Sequence, residues 1–258
     1  MSNNPRHYFG DPAHIQRNTF SELSALTDNV SAIRLLKILE SEGRDATDAE
    51  KAVLSRYTGW GGLSNLFALE LPETRFINAN PIGATATGPV RNAYVRTMIA
   101  LCPDLIDRSD GYYVNVVESA TAERLLTAEE WASARASVNN SHFTSPDVIS
   151  ALWDSILPVL PDGPLEILEP SAGIGNFLAF APPSVIERAT ITAVELDQIS
   201  GRILQKIYPD AKVYVQGFET VPLRNGAYDL IITNVPFGDY SVPDLRYGVA
   251  SCPSMTIF

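Results

Sequence analysis

The chain has 258 residues, 45% of them hydrophobic and 19% charged, an ordinary balance for a globular protein with a sizeable core in one large or two small domains. No apolar run approaches the roughly 18 residues needed to span a bilayer, the N-terminal MSNNPRHYFGDP has no apolar signal core, and Cys102 and Cys252 stand far apart with no CxxC, so a cytoplasmic protein without membrane contact or a disulfide framework is expected. The net charge of −11 opposes tight, unaided binding to a nucleic-acid backbone.

In chain order, residues 1–18 read as a polar arm, and the pattern from Thr19 to Arg56 is helical. Thr47-Asp48-Ala49-Glu50 reads as a capping box that opens a helix to about Tyr57, which ends in the glycine turn TGWGGL. ATATGPVRNAYVRTMIALC suggests a further helix and GYYVNVV a strand, while Thr127-Ala128-Glu129-Glu130 is a second capping box. The acids near Glu118 and Glu129 read as solvated helix faces, and Trp60 as a core plug. His7, His14 and His142 do not fall at metal-binding spacing, and no metal site is expected.

After Asn140 the pattern changes. SPDVISALWDSILPVL reads as an amphipathic helix. LEILEP, ATITAVELD, KVYVQGFE and YDLIITN read as four strands, with helices SAGIGNFLAF and ISGRILQKIY between them. Strands alternating with helices predict an α/β fold with a mostly parallel, Rossmann-like sheet, behind an N-terminal mainly helical region. The expected division is residues 1–124 and 125–258.

Ligands in such sheets sit beyond the carboxyl ends of the strands. The first strand ends in Glu169-Pro170-Ser171-Ala172-Gly173-Ile174-Gly175-Asn176. Its glycines allow close approach of backbone to a ligand, but the third glycine of a dinucleotide turn is replaced by Leu178. An acid at the strand end disfavours a pyrophosphate and suits an ammonium group. Glu195 follows Gly175 by 20 residues, the spacing at which an acid meets ribose hydroxyls. Leu196 stands beside it, and Gly217-Phe218-Glu219 could offer an acceptor to an adenine amine. At the fourth strand end, the Asn234 side-chain oxygen and the Val235 carbonyl suit the two protons of an exocyclic amine. Pro236 stiffens that loop and Phe237 offers a stacking face. A duplex target would have to be flipped out.

EPSAGIGNF, VELD and NVPF resemble motifs I, II and IV of S-adenosylmethionine-dependent N6-adenine DNA methyltransferases, and HFTSP resembles their motif X, in gamma-type order. The resemblance implies that Phe143, Thr144, Glu169, Ala172, Gly173 and Gly175 bind the methionyl part of S-adenosylmethionine, with Pro170 and Asn176 in the same loop. It assigns Glu195 to the ribose, with Leu196 beside it, Phe218 and Glu219 to the adenine region, and Asn234, Val235, Pro236 and Phe237 to the catalytic loop. Val235 stands where the family usually has a first proline. RYTGWGGL, the LTAEEWASARASVNNSHFTSP run and NVPFGDYSVPDLRY resemble large methyltransferase-like proteins of phages and plasmids.

Only 24 residues follow Asn234, whereas a complete methyltransferase sheet continues beyond motif IV. The expectation is a truncated member or one half of a split enzyme that acts on adenine-containing DNA through an additional domain or subunit. The alternatives are a catalytically inactive module acting in protein binding or anti-restriction, and an enzyme methylating protein glutamine or RNA.

Overall fold

Local capping signals decide where the first helices begin. In the computed structural model, which describes residues 21–69, 88–103, 123–138, 143–235, 241–243 and 251–253, helix α1 (Glu22–Glu42) starts at Ser21, whose side chain accepts from the Ser24 N–H, and stops at Gly43 with φ 64°. Helix α2 (Asp48–Leu54) opens with the full capping box of Thr47 and Glu50. It is shorter than the sequence suggests, because the chain turns into the 57–62 segment through single-turn hydrogen bonds. Helices α3 (Gly88–Leu101) and α4 (Ala128–Ser137) follow, the latter with its own capping box of Thr127 and Glu130. The expected strand GYYVNVV lies outside the described residues.

Helix α5 (Pro146–Ile156) leads to β1 (Leu165–Glu169), then α6 (Asn176–Ala179), α7 (Pro183–Ile186) and β2 (Ala189–Glu195). Next come α8 (Gln198–Ile207), β3 (Lys212–Val215) and β4 (Leu230–Ile231). These four strands form one parallel sheet in the order β3-β2-β1-β4, a Rossmann-like arrangement. A separate antiparallel pair joins β5 (Ser241–Pro243) to β6 (Ser251–Pro253). The expected strand YDLIITN pairs only at Leu230 and Ile231, though the Ile232 N–H still donates to the Leu168 carbonyl at 3.1 Å.

β1 is central, and four of its five residues are buried, as a strand covered on both faces requires. On one side Ile149 and Trp153 of α5 meet Ile167, Phe177 and Ile232. On the other a single apolar cluster runs from Leu26, Ile33 and Leu36 of α1, through Trp60 and Trp131, to Ile199, Ile203 and Leu204 of α8. Helix α8 therefore lies between the sheet and the N-terminal helices. Trp60 is fully buried there, edge-on to Tyr57 and Phe67.

Charges reinforce this junction. The Arg202 guanidinium on α8 pairs with Glu40 on α1 and with Glu130 on α4, and Lys37 also donates to Glu130. Glu130 is thus a buried ionic partner rather than part of a solvated face, whereas Glu129 is exposed. The TGWGGL turn is held by Asn29, which is fully buried. Its Nδ2 donates to the Gly59 carbonyl at 2.7 Å, and its Oδ1 accepts from the Thr58 N–H at 2.8 Å and the Thr58 hydroxyl at 3.1 Å. Among the described residues, no helix is long and apolar enough to cross a membrane.

Asn29→Ala strips several buried polar groups of partners at once. Each such group costs about 1–3 kcal/mol, so denaturant unfolding is expected to show a loss of roughly 2–4 kcal/mol. A loss within experimental error would show that the turn is held by packing alone.

Candidate cofactor-binding site

The chain runs outward from β1 through β2 to β3, then returns to the other side of β1 as β4. That reversal makes a switch point, and the crevice beyond the carboxyl ends of the strands opens there. A cavity of about 240 Å³ occupies it, just below the roughly 300–1,000 Å³ usual for ligand pockets.

A turn with two glycines lies at its floor, and Gly173 lines it. Gly173 has φ 56° and Gly175 φ 87°, a region that side chains resist. A Cβ on Gly173 would lie 2.7 Å from Cε1 of Phe143, and one on Gly175 would lie 2.7 Å from Leu204 Cδ1 and Tyr208 Cε2. The turn is thus pressed between the Phe143 ring and helix α8. Glu195 clamps it: the Gly173 N–H donates to Oε2 at 2.6 Å, while the Asp197 N–H donates to Oε1 at 2.7 Å. Asp197 then caps α8, accepting from the Ser200 N–H at 2.8 Å and the Ser200 hydroxyl at 2.7 Å.

Glu169, the last residue of β1, is 1% exposed, and its Oε2 has no hydrogen-bond partner. Burial, followed by the neighbouring charge of Glu195, pushes its carboxyl well above the usual range. Glu195 is pushed up to about 7, mainly by burial and also by Asp197, against the pull of its N–H donors. Glu169, Glu195 and Asp197 all line the cavity, and among the described residues no Lys, Arg or His lines it. Such a surface repels phosphates and carboxylates and favours a cation.

Across the cavity, Asn234 follows β4. Its Nδ2 donates to Thr144 Oγ1 at 3.0 Å, which sets the side-chain oxygen as the acceptor end of the amide. Phe143 and Thr144 therefore bridge the glycine turn and Asn234.

Of the residues singled out from sequence, the structure brings Phe143, Thr144, Glu169, Ala172, Gly173, Asn176, Glu195, Leu196 and Asn234 to this one cavity. Pro170, Gly175 and Val235 flank it without lining it. Phe218 and Glu219 form a 3₁₀ turn after β3, away from the cavity. Phe218 packs beside Leu168, Val194 and Val221, and the Glu219 carboxylate folds back over Gly217. Pro236 and Phe237 lie outside the described residues.

Sequence reading missed Ser133, Ala136 and Ser137 of α4, together with Ser171, Phe177, Asp197 and Ser200. Asp197 carried a signal, as the last acid of VELD and an N-cap type before a helix. The α4 residues lie within the LTAEEWASARASVNNSHFTSP run that resembles the phage and plasmid proteins, but their place at the cavity depends on where the helix docks.

No family model matches the chain. A stretch of 101 residues, 38% of this chain and 4% of the relative, is 32% identical to the Defense against restriction protein B of Escherichia phage P1. Among solved structures, the chain is similar to the type I restriction-modification system methyltransferase subunit from Streptococcus thermophilus, with 12% identity, a TM-score of 0.36, and coverage of 92% of this chain and 64% of that one. It is also similar to a Listeria monocytogenes protein assigned to the class I S-adenosylmethionine-dependent methyltransferases, with 14% identity, a TM-score of 0.34, and coverage of 84% and 60%. The chain thus spans a small fraction of the phage protein and about three-fifths of these solved chains. The strand order, rather than these distant likenesses, defines the fold.

The acid pair gives the ligand-free protein a pH signature. Between about 4.5 and about 7 the folded chain keeps a proton on Glu195 that the unfolded chain has released, so stability falls as pH rises through that window. Glu169, shifted in the same direction, adds to the fall. Glu169→Gln, which mimics the protonated acid, is expected to raise Tm at about pH 8 and to change it little near pH 5. An equal shift at both values, or a lower Tm at the higher pH, would contradict this electrostatic picture.

Proposed function

We propose that this chain is the S-adenosylmethionine-binding part of an adenine-N6 DNA methyltransferase with gamma-type motif order. The reading rests above all on the buried Oε2 of Glu169, unpartnered among the described residues, which belongs to a cavity lined by three acids and shared with Asn234. An orphaned buried carboxyl of this kind fits a ligand bearing an ammonium group and a sulfonium.

Glu169 and the backbone around Gly173 would hold the methionyl end. Glu195, whose two oxygens keep lone pairs beyond those already used by N–H donors, would accept from ribose hydroxyls. When bound, S-adenosylmethionine supplies an electrophilic methyl group. Asn234 and the Val235 carbonyl would accept the two amine protons of a flipped adenine, which aligns the nitrogen lone pair. Thr144, by holding the Asn234 amide nitrogen, would fix which end of that amide faces the base. The contribution is orientation rather than strong-base catalysis.

A net charge of −11 leaves the grip on DNA to a further domain or subunit. The division into a helical region over residues 1–124 and a methyltransferase part over 125–258, acting in the cytoplasm, belongs to the same proposal. The phage relative's name, Defense against restriction protein B, favours a second reading: a module that binds a protein partner in anti-restriction and no longer transfers methyl groups.

Calorimetric titration with S-adenosylmethionine tests the first reading. Saturable binding is expected, weakened roughly 10- to 100-fold in Glu169→Gln by loss of a charge-assisted contact. Absence of binding to a folded chain would overturn it. Asn234→Ala is expected to keep cofactor binding and abolish methyl transfer to adenine in the protein assembled with its DNA-binding partner. Retention of transfer would remove Asn234 from the mechanism, whereas an anti-restriction role unaffected by the substitution would support the second reading.

A further inference from the structure

One wall of the cavity comes from helix α4, which lies outside motifs I, II, IV and X. Ser133, Ala136 and Ser137 of α4 line the cavity, and their spacing of three and four residues puts them on one face of the helix. Trp131 and Ala134 on another face are buried in the core, so the helix has no freedom to roll. Its position is fixed further by Glu130, which pairs with Arg202 of α8, and by the Ser133 hydroxyl, which donates to Asp197 Oδ1 at 3.1 Å.

We propose that this face of α4 is the outer wall of the S-adenosylmethionine pocket, on the side where Glu195 and Asp197 end β2. The inference rests on the function proposed above and extends it to residues outside the motifs. Small side chains alone would not make a wall into a site. The independent sign of a ligand is Glu169, 1% exposed and with an unpartnered oxygen, which lines the same cavity.

The place of the wall follows from what surrounds it. The turn after β3, where Phe218 and Glu219 lie, does not reach the cavity. Leu196, 71% exposed, and the α4 face do line it. A flat apolar group entering beside Glu195 would therefore meet Leu196 and the small face of α4. Serine and alanine leave room there that a larger side chain would fill.

Calorimetric titration with S-adenosylmethionine of wild type, Ser137→Phe, Ala136→Phe and Ala128→Phe tests this. Ala128 lies on the same helix but is exposed and outside the cavity lining. Far-ultraviolet circular dichroism and Tm establish that each variant folds, and having two occluding variants keeps the test intact should one of them fail to fold. The expected result is binding weakened by roughly 10- to 100-fold in Ser137→Phe and Ala136→Phe, with Ala128→Phe like wild type. Wild-type affinity in a folded occluding variant would overturn the wall assignment while leaving the proposed function standing. Equal weakening in Ala128→Phe would also overturn it, by showing that the loss is not local to the pocket. A folded wild type that does not bind would overturn the proposed function and the wall with it.

Discussion

The site depends on a carboxyl group that is almost completely buried at the edge of the cavity. Glu169 ends the central strand at 1% exposure, with one oxygen unpaired, and Glu195 lies close enough to raise its pKa further. Burying charge without a partner is among the most expensive things a fold can do. The ligand-free protein meets that cost by holding protons, since both acids are pushed toward their neutral forms. A cationic ligand would meet it by supplying the missing charge. The arrangement makes little sense as scaffolding, because a strand end at this position could be closed with an apolar residue at no such cost.

The rest of the molecule holds that acid edge in place. Glu195 fixes the glycine turn, Asp197 fixes the start of α8, and Ser133 joins Asp197 to α4. Helix α8 is in turn pinned to the N-terminal helices by Arg202 and by a continuous apolar cluster. Burial and the charge of Asp197 push the Tyr57 hydroxyl well above its ordinary value, so the segment before the TGWGGL turn also feels the acid edge from behind. The helical region is therefore tied to the cavity through direct contacts.

Much of this was legible in the sequence wherever the determining forces are local. Both capping boxes open helices at Thr47 and Thr127 as their spacing requires. The alternation of apolar runs with helical stretches gives the parallel sheet, and the glycines at 173 and 175 adopt the positive φ that their place after a strand suggests. What was not legible depends on tertiary neighbours. Glu130 reads as solvated until Arg202 and Lys37 are brought against it. Glu219 sits in the expected order along the chain, yet its side chain turns back over Gly217. Ser133, Ala136 and Ser137 lie in a run that resembles other methyltransferase-like proteins, yet their place at the cavity follows only from the docking of α4 beside Asp197.

The central claim is that the acid edge is a cation site whose protons give way to a ligand. Its most direct test is to titrate the protein with S-adenosylmethionine near pH 6 in buffers of different ionisation enthalpy, because the buffer-dependent heat counts protons exchanged on binding. The account predicts net proton release, since Glu195, pushed up to about 7, is largely protonated at that pH before a cation arrives and Glu169 is shifted in the same direction, and the release should shrink toward alkaline pH. Binding with no proton exchange, or with proton uptake, would contradict it.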